Sequence, residues 1–135
     1  RGVVLEIDGD ICFPSLSSDL DLKFIEILRE VTSQVMSHPS DKRTVIIEGH
    51  SDSDPIRPDQ AYHKNPAVKA IEVWRTNRHL SSARASAVAD FMREDPAIDQ
   101  SRLRVYGFAE TRPTTSNETR EGRAENRRIE IEIGQ

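Results

Sequence analysis

Thr44-Val45-Ile46-Ile47-Glu48 is a short, almost continuous apolar run rich in β-branched residues. β-Branched side chains fit a pleated surface. Such a run is expected as a central strand, buried on both faces. It commits the chain to a sheet. It ends in Gly49-His50-Ser51-Asp52-Ser53-Asp54-Pro55, a polar loop at the strand's carboxyl end.

The remaining elements follow from periodicity. Val3, Leu5 and Ile7 alternate with Val4, Glu6 and Asp8, as in a half-buried strand. Asp8-Gly9-Asp10 is a turn signal, and Ile11-Cys12-Phe13 is expected to continue or pair with that strand before Pro14 stops it. Ser17, Ser18 and Asp19 are N-cap candidates for a helix over about 19–37. Its apolar stripe is Leu20, Phe24, Ile27, Leu28, Val31 and Val35, and it closes near His38-Pro39. Residues 53–76, with Pro55, Pro58 and Pro66, form a long insertion loop in which Ala67 to Trp74 suits two helical turns. Ser81 is expected to cap the next helix, with Ala83, Ala87, Val88, Phe91 and Met92 buried and Asp95-Pro96 as its end. Arg102 to Tyr106 reads as a strand stopped by Gly107, and residues 119–126 as a short helix. Ile129, Ile131 and Ile133 alternate with Arg128, Glu130 and Glu132, the clearest one-sided strand in the chain.

The order β-α-β-α-β-β predicts an α/β, two-layer sandwich: a mixed sheet with helices on one face. The 135 residues suit a single domain, 1–135. Aromatic residues make up only 5%, so the core must be aliphatic. The net charge of −4 argues against nucleic acid and against long-range attraction to anionic membranes. Cys12 is the only cysteine, which excludes an internal disulfide. No apolar run approaches bilayer-spanning length. The sequence opens at Arg1 without a starting Met and runs straight into a strand, so it is expected to be a fragment.

Three polar stretches could carry chemistry. In Gly49 to Asp54, Gly49 permits close backbone approach, and Asp52 stands where open α/β sheets often place binding residues. The plain alternative is a polar loop with an Asx-turn. In Asn77 to Arg84, a helix capped by Ser81 would put Arg84 at its third position, where a cation opposes the helix dipole. An external carboxylate there would pair with the guanidinium and meet free helix N–H groups. A solvated or internally paired arginine is the alternative. The third stretch is Glu121-Gly122-Arg123-Ala124-Glu125-Asn126-Arg127-Arg128, either an ordinary charged helix end or a source of arginines near the sheet's end. Together the three offer a carboxylate for an ammonium and guanidiniums for carboxylates. That complements a zwitterionic amino-acid head group.

Four segments in order resemble one family, the OmpA C-terminal-like domains of OmpA, MotB and Pal type. They are Gly49-His50-Ser51-Asp52; Asn77-Arg78-His79-Leu80-Ser81-Ser82-Ala83-Arg84-Ala85; Gly107-Phe108-Ala109-Glu110-Thr111-Arg112-Pro113; and Glu121-Gly122-Arg123-Ala124-Glu125-Asn126-Arg127-Arg128-Ile129-Glu130-Ile131. The match spans nearly the whole chain. Asp54-Pro55-Ile56 is similar to the MotB-type loop.

The resemblance implies a non-catalytic domain that binds the diaminopimelate of peptidoglycan stem peptides, without cofactor or metal. It implies that Asp52 takes the ammonium and Arg84 the carboxylate, while Asn77 and Arg127 hold the ligand or the loop around it. Leu80 and Ser51 complete the set, Ser51 replacing the usual Thr with its hydroxyl kept. It further implies a periplasmic domain, a homodimer, and a MotB-like stator subunit held in the inner membrane by an upstream helix beside an ion-channel partner. The alternatives are an OmpA- or Pal-like outer-membrane tether, or a dimerisation module with a weak or regulated ligand site. One departure is the length between Asp52 and Asn77. The added residues could cover the groove, build a dimer surface, or pack as decoration.

Enzyme readings fare worse. His50, Ser51 and Asp52 are consecutive, so their side chains diverge and cannot form a relay. There is no G-x-S-x-G elbow. Asp52, Asp54, Asp59 and His63 fit no metal motif by spacing.

Overall fold

A computed structural model of the chain describes residues 2–33, 40–56 and 76–134. Strand β1 (Val3–Asp8) leads into a one-turn helix α1 (Gly9–Cys12) and then α2 (Leu22–Val31). Strand β2 (Val45–His50) precedes the long helix α3 (Asn77–Met92). Strand β3 (Leu103–Ala109), helix α4 (Arg120–Asn126) and strand β4 (Arg128–Ile133) complete the order.

The four strands lie in the order β1-β4-β2-β3. β4 is antiparallel to both β1 and β2, while β2 and β3 are parallel. A parallel pair needs a crossover, and α3 lies between β2 and β3 in the chain. The sheet is mixed, with helices packed on it, as the strand and helix periodicities predict. β2 is central because β3 and β4 flank it. Its alternate residues Ile46 and Glu48 are only half-buried, so helices do not cover both faces.

The core is aliphatic. Val45, Ile47, Ile129, Ile131 and Ile133 project from β2 and β4, all 1% exposed or less. Phe24 and Leu28 of α2 and Ala85, Val88 and Met92 of α3 meet them. Each fully buried aliphatic side chain stabilises by roughly 1.5–3 kcal/mol. Gly49 and Gly107 let α3 lie close to the sheet: a Cβ on either would run into Ser81 or Ser82.

Several expected boundaries shift. Ile11-Cys12-Phe13 does not extend β1. The Asp8 carboxylate accepts the Asp10 amide and the Gly9 amide donates to the Arg127 carbonyl, which turns the chain into α1. The cap of α2 is Asp21, not Ser17, Ser18 or Asp19; Ser17 Oγ instead accepts the Asp19 amide in the turn before it. The expected close at His38-Pro39 and the helical turns of Ala67 to Trp74 lie outside the described residues. β3 runs through Gly107 to Ala109. The buried stripe of α3 is Leu80, Ser81, Ala85, Val88, Ala89 and Met92; Ala83, Ala87 and Phe91, expected buried, are only partly so.

Candidate functional site

Helix α3 begins earlier than the Ser81 cap expected from the sequence. Thr76 caps it, its hydroxyl accepting the His79 amide at 3.3 Å. Ser81 is therefore inside the helix, where its hydroxyl accepts the Ala109 amide at 3.1 Å and donates to the Arg78 carbonyl. Counting from Asn77, Arg84 is the eighth helical residue. It is not in the opening turn, and the helix-dipole argument for a carboxylate there does not apply.

The environment of Arg84 makes a different and stronger case. Its Nε donates to the Ser17 carbonyl at 2.8 Å and its Nη2 to the Pro14 carbonyl at 3.1 Å. The guanidinium lies 4.9 Å from the centre of the Phe13 ring. Burial pulls it down to about 10, which leaves it charged at neutral pH. Among the described residues no carboxylate forms an ion pair with it. A desolvated cation without a direct ion-pair partner is costly, and a guanidinium has five donors, of which two are spent. The Nη1 group makes no hydrogen bond to the described residues.

Asp52, Asn77, Leu80, Arg84, Arg127 and Ser51 all line one cavity of about 480 Å³. The six residues singled out from sequence thus converge. The cavity opens at the carboxyl end of β2, with the β1–α2 connection on one side and the start of α3 on the other. Asp52 is 6% exposed; its Oδ1 accepts the Asp54 amide at 3.0 Å and its Oδ2 the Nη1 of Arg127 at 2.6 Å. The first bond is the Asx-turn of the plain reading, and Asp52 also lines the cavity. Asn77 Nδ2 donates to the Asp54 carbonyl at 2.8 Å and fixes the loop that carries Asp52. Ser51 donates its amide to the Ala109 carbonyl and its hydroxyl to the Asp52 carbonyl.

Asp10 belongs to this site and was not among the expected residues. It pairs side-on with Arg127, Nε to Oδ1 at 3.1 Å and Nη2 to Oδ2 at 3.0 Å. Asp10 first, then Asp52, hold the Arg127 guanidinium above the usual arginine value. The signal was in the strands: β1 and β4 pair with Asp8 opposite Arg128, which brings the residues beyond each end together.

The neighbouring motif positions are structural. Asn126 is fully buried and clamps 114–117, its Oδ1 accepting the Thr114 and Thr115 amides and its Nδ2 donating to Thr115 and Asn117. Arg128 donates to Glu130 at 2.6 Å and to the Arg112 carbonyl at 2.9 Å. Glu48, His50 and Glu130 place donor atoms within 4.8 Å of one another. Arg128 already holds Glu130, and His50 Nε2 lies 2.9 Å from Glu48 and 3.8 Å from Glu130, so the group reads as a polar network joining β2 and β4. The His50 ring stacks on Phe108 at 5.3 Å while Ser51 Oγ bonds the Asp52 carbonyl, and the three consecutive residues form no relay. Asp59 and His63 lie outside the described residues.

The sequence pattern of the OmpA family matches residues 12–127. Motility protein B of Bacillus subtilis is 29% identical over 133 residues, covering 98% of this chain and 45% of that protein. The chain thus spans less than half the length of this relative. The solved cell wall anchor of the T6SS from Pseudomonas aeruginosa is 30% identical with a TM-score of 0.73, covering 98% of this chain and 81% of that one. The periplasmic domain of Helicobacter pylori MotB has a TM-score of 0.74 at 18% identity, covering 100% of this chain and 83% of that one, a likeness of fold alone.

Proposed function

The chain belongs to the OmpA family, and from that premise we propose that it binds the diaminopimelate of peptidoglycan stem peptides and anchors a larger membrane protein to the cell wall. One observation carries the reading. Arg84 is a desolvated guanidinium without an ion-pair partner among the described residues, and it shares a cavity with the Asp52 carboxylate. A zwitterionic head group satisfies both: its carboxylate on Arg84, its ammonium on Asp52. Peptidoglycan is the polymer that presents such a head group on a stem peptide. The role is one of binding without catalysis.

The parent is a MotB-like stator subunit in the inner membrane, its periplasmic domain homodimeric and its ion-channel partner reached through an upstream helix. The relation to motility protein B and the Asp54-Pro55-Ile56 loop favour this reading. The relation to a T6SS wall anchor favours an anchoring role in another envelope complex. The test is sedimentation with purified sacculi, with soluble diaminopimelate as competitor. Co-sedimentation that the free amino acid abolishes supports the reading, and a protein that stays in the supernatant refutes it.

A further inference from the structure

Arg127 is claimed by two carboxylates. Its Nε and Nη2 lie side-on to Asp10, at 3.1 and 3.0 Å, and only Nη1 reaches Asp52 Oδ2, at 2.6 Å. Asp52 Oδ1 takes the Asp54 amide. A carboxylate has about four lone-pair directions, so these two bonds leave Asp52 with capacity for a further donor from the cavity it lines. The forked edge of a guanidinium is the strongest partner a carboxylate can find. Without the Asp10 charge, Arg127 is free to turn that edge onto Asp52 and fill the place an ammonium needs.

We propose that Asp10 is a positioning residue for ligand recognition: it holds Arg127 side-on so that Asp52 stays open to a primary amine, and the site selects ligands whose amine is free. The inference rests on the peptidoglycan reading above. The charges of the cavity point the same way. Asp10, Asp21, Asp52 and Asp54 line it against Arg84 and Arg127. A negative excess favours a ligand that keeps its ammonium over the same ligand with that nitrogen acylated, as in a cross-linked stem peptide.

The Asp10 side chain is 58% exposed, so an isosteric amide there leaves the fold intact. Calorimetric titration with meso-diaminopimelate is run on the wild type, Asp10→Asn, Asp10→Glu, Arg127→Gln and the Asp10→Asn/Arg127→Gln double variant. Asp10→Asn is expected to weaken binding about tenfold, the scale of one charge-assisted contact. Asp10→Glu recovers most of that loss, and Asp10→Asn has no further effect once Arg127 is Gln. Diaminopimelate acetylated on both amines binds the wild type at least about tenfold more weakly. Unchanged affinity in Asp10→Asn, the same loss in the Arg127→Gln background, or equal binding of the acetylated compound overturns the inference. A wild type that binds neither diaminopimelate nor sacculi removes the peptidoglycan reading itself, and this inference with it.

Discussion

The Ser81 hydroxyl accepts the Ala109 amide at 3.1 Å, and Ala109 extends the connection by receiving the Ser51 amide on its carbonyl at 2.8 Å. Three elements meet at that point: the second turn of α3, the end of β3 and the exit of β2. Ala109 adopts φ 54°, a left-handed conformation that a non-glycine residue holds only where its surroundings fix it. The link sets Asp52, one residue beyond Ser51, against the helix that carries Arg84.

Ser81→Ala orphans the buried Ala109 amide. The expected cost is about 1–3 kcal/mol, the range for a buried polar group left without a partner. A lowered denaturant midpoint with an unchanged m-value checks it. Diaminopimelate affinity falls as well, because the Ser51–Asp52 backbone loses its brace.

Gly49→Ala places a methyl against the Ser81 backbone. Overpacking of this kind costs about 1–3 kcal/mol. Since the clash pushes α3 away from β2, binding weakens along with stability, whereas an Ala at exposed Ser86 changes neither. Thermal melts and titrations of the two variants make the comparison.

Arg84→Lys keeps the charge and loses the fork. Lysine is a point charge, unable to span the Ser17 and Pro14 carbonyls and still present a planar pair of donors to a carboxylate. Sacculus binding is expected to fall by about tenfold or more. Near wild-type binding in this variant would show that charge alone suffices.

His50 gives a pH dependence. Burial depresses the imidazole below its ordinary range, outweighing the Glu48 contact that raises it. The unfolded chain therefore binds the proton more readily than the folded one. Stability from this group is full above about pH 6.5 and is lost as pH falls below it through the folded value. Denaturation midpoints measured from pH 7.5 to 5 should drop in the wild type, and His50→Asn should flatten the part of that slope that His50 supplies.

The sheet was legible because its signals are local. Ile129, Ile131 and Ile133 alternate cleanly and are all buried, and the apolar run at 45–47 is the central strand. The start of α3 was not, because Thr76 and Ser81 are both good caps and only tertiary structure decides between them. Ser81 is taken by Ala109, a residue 28 positions away. For Arg84 only the helix-dipole ground fails, since it needed Ser81 as the cap; its burial against Phe13 and two carbonyls is not revealed by local spacing. Asp10 escaped notice because its partner Arg127 lies 117 positions along the chain.

A titration of isotope-labelled protein with meso-diaminopimelate, followed by amide and guanidinium NMR, tests the central claim most directly. The account predicts saturable shifts at the backbone amides of residues 51 and 52 and at the Arg84 side-chain N–H groups, with all three absent in Asp52→Ala and the two backbone shifts absent in Arg84→Ala at the same ligand concentration. Saturable shifts confined to another face of the sheet, or shifts at these residues that survive both substitutions, would contradict it.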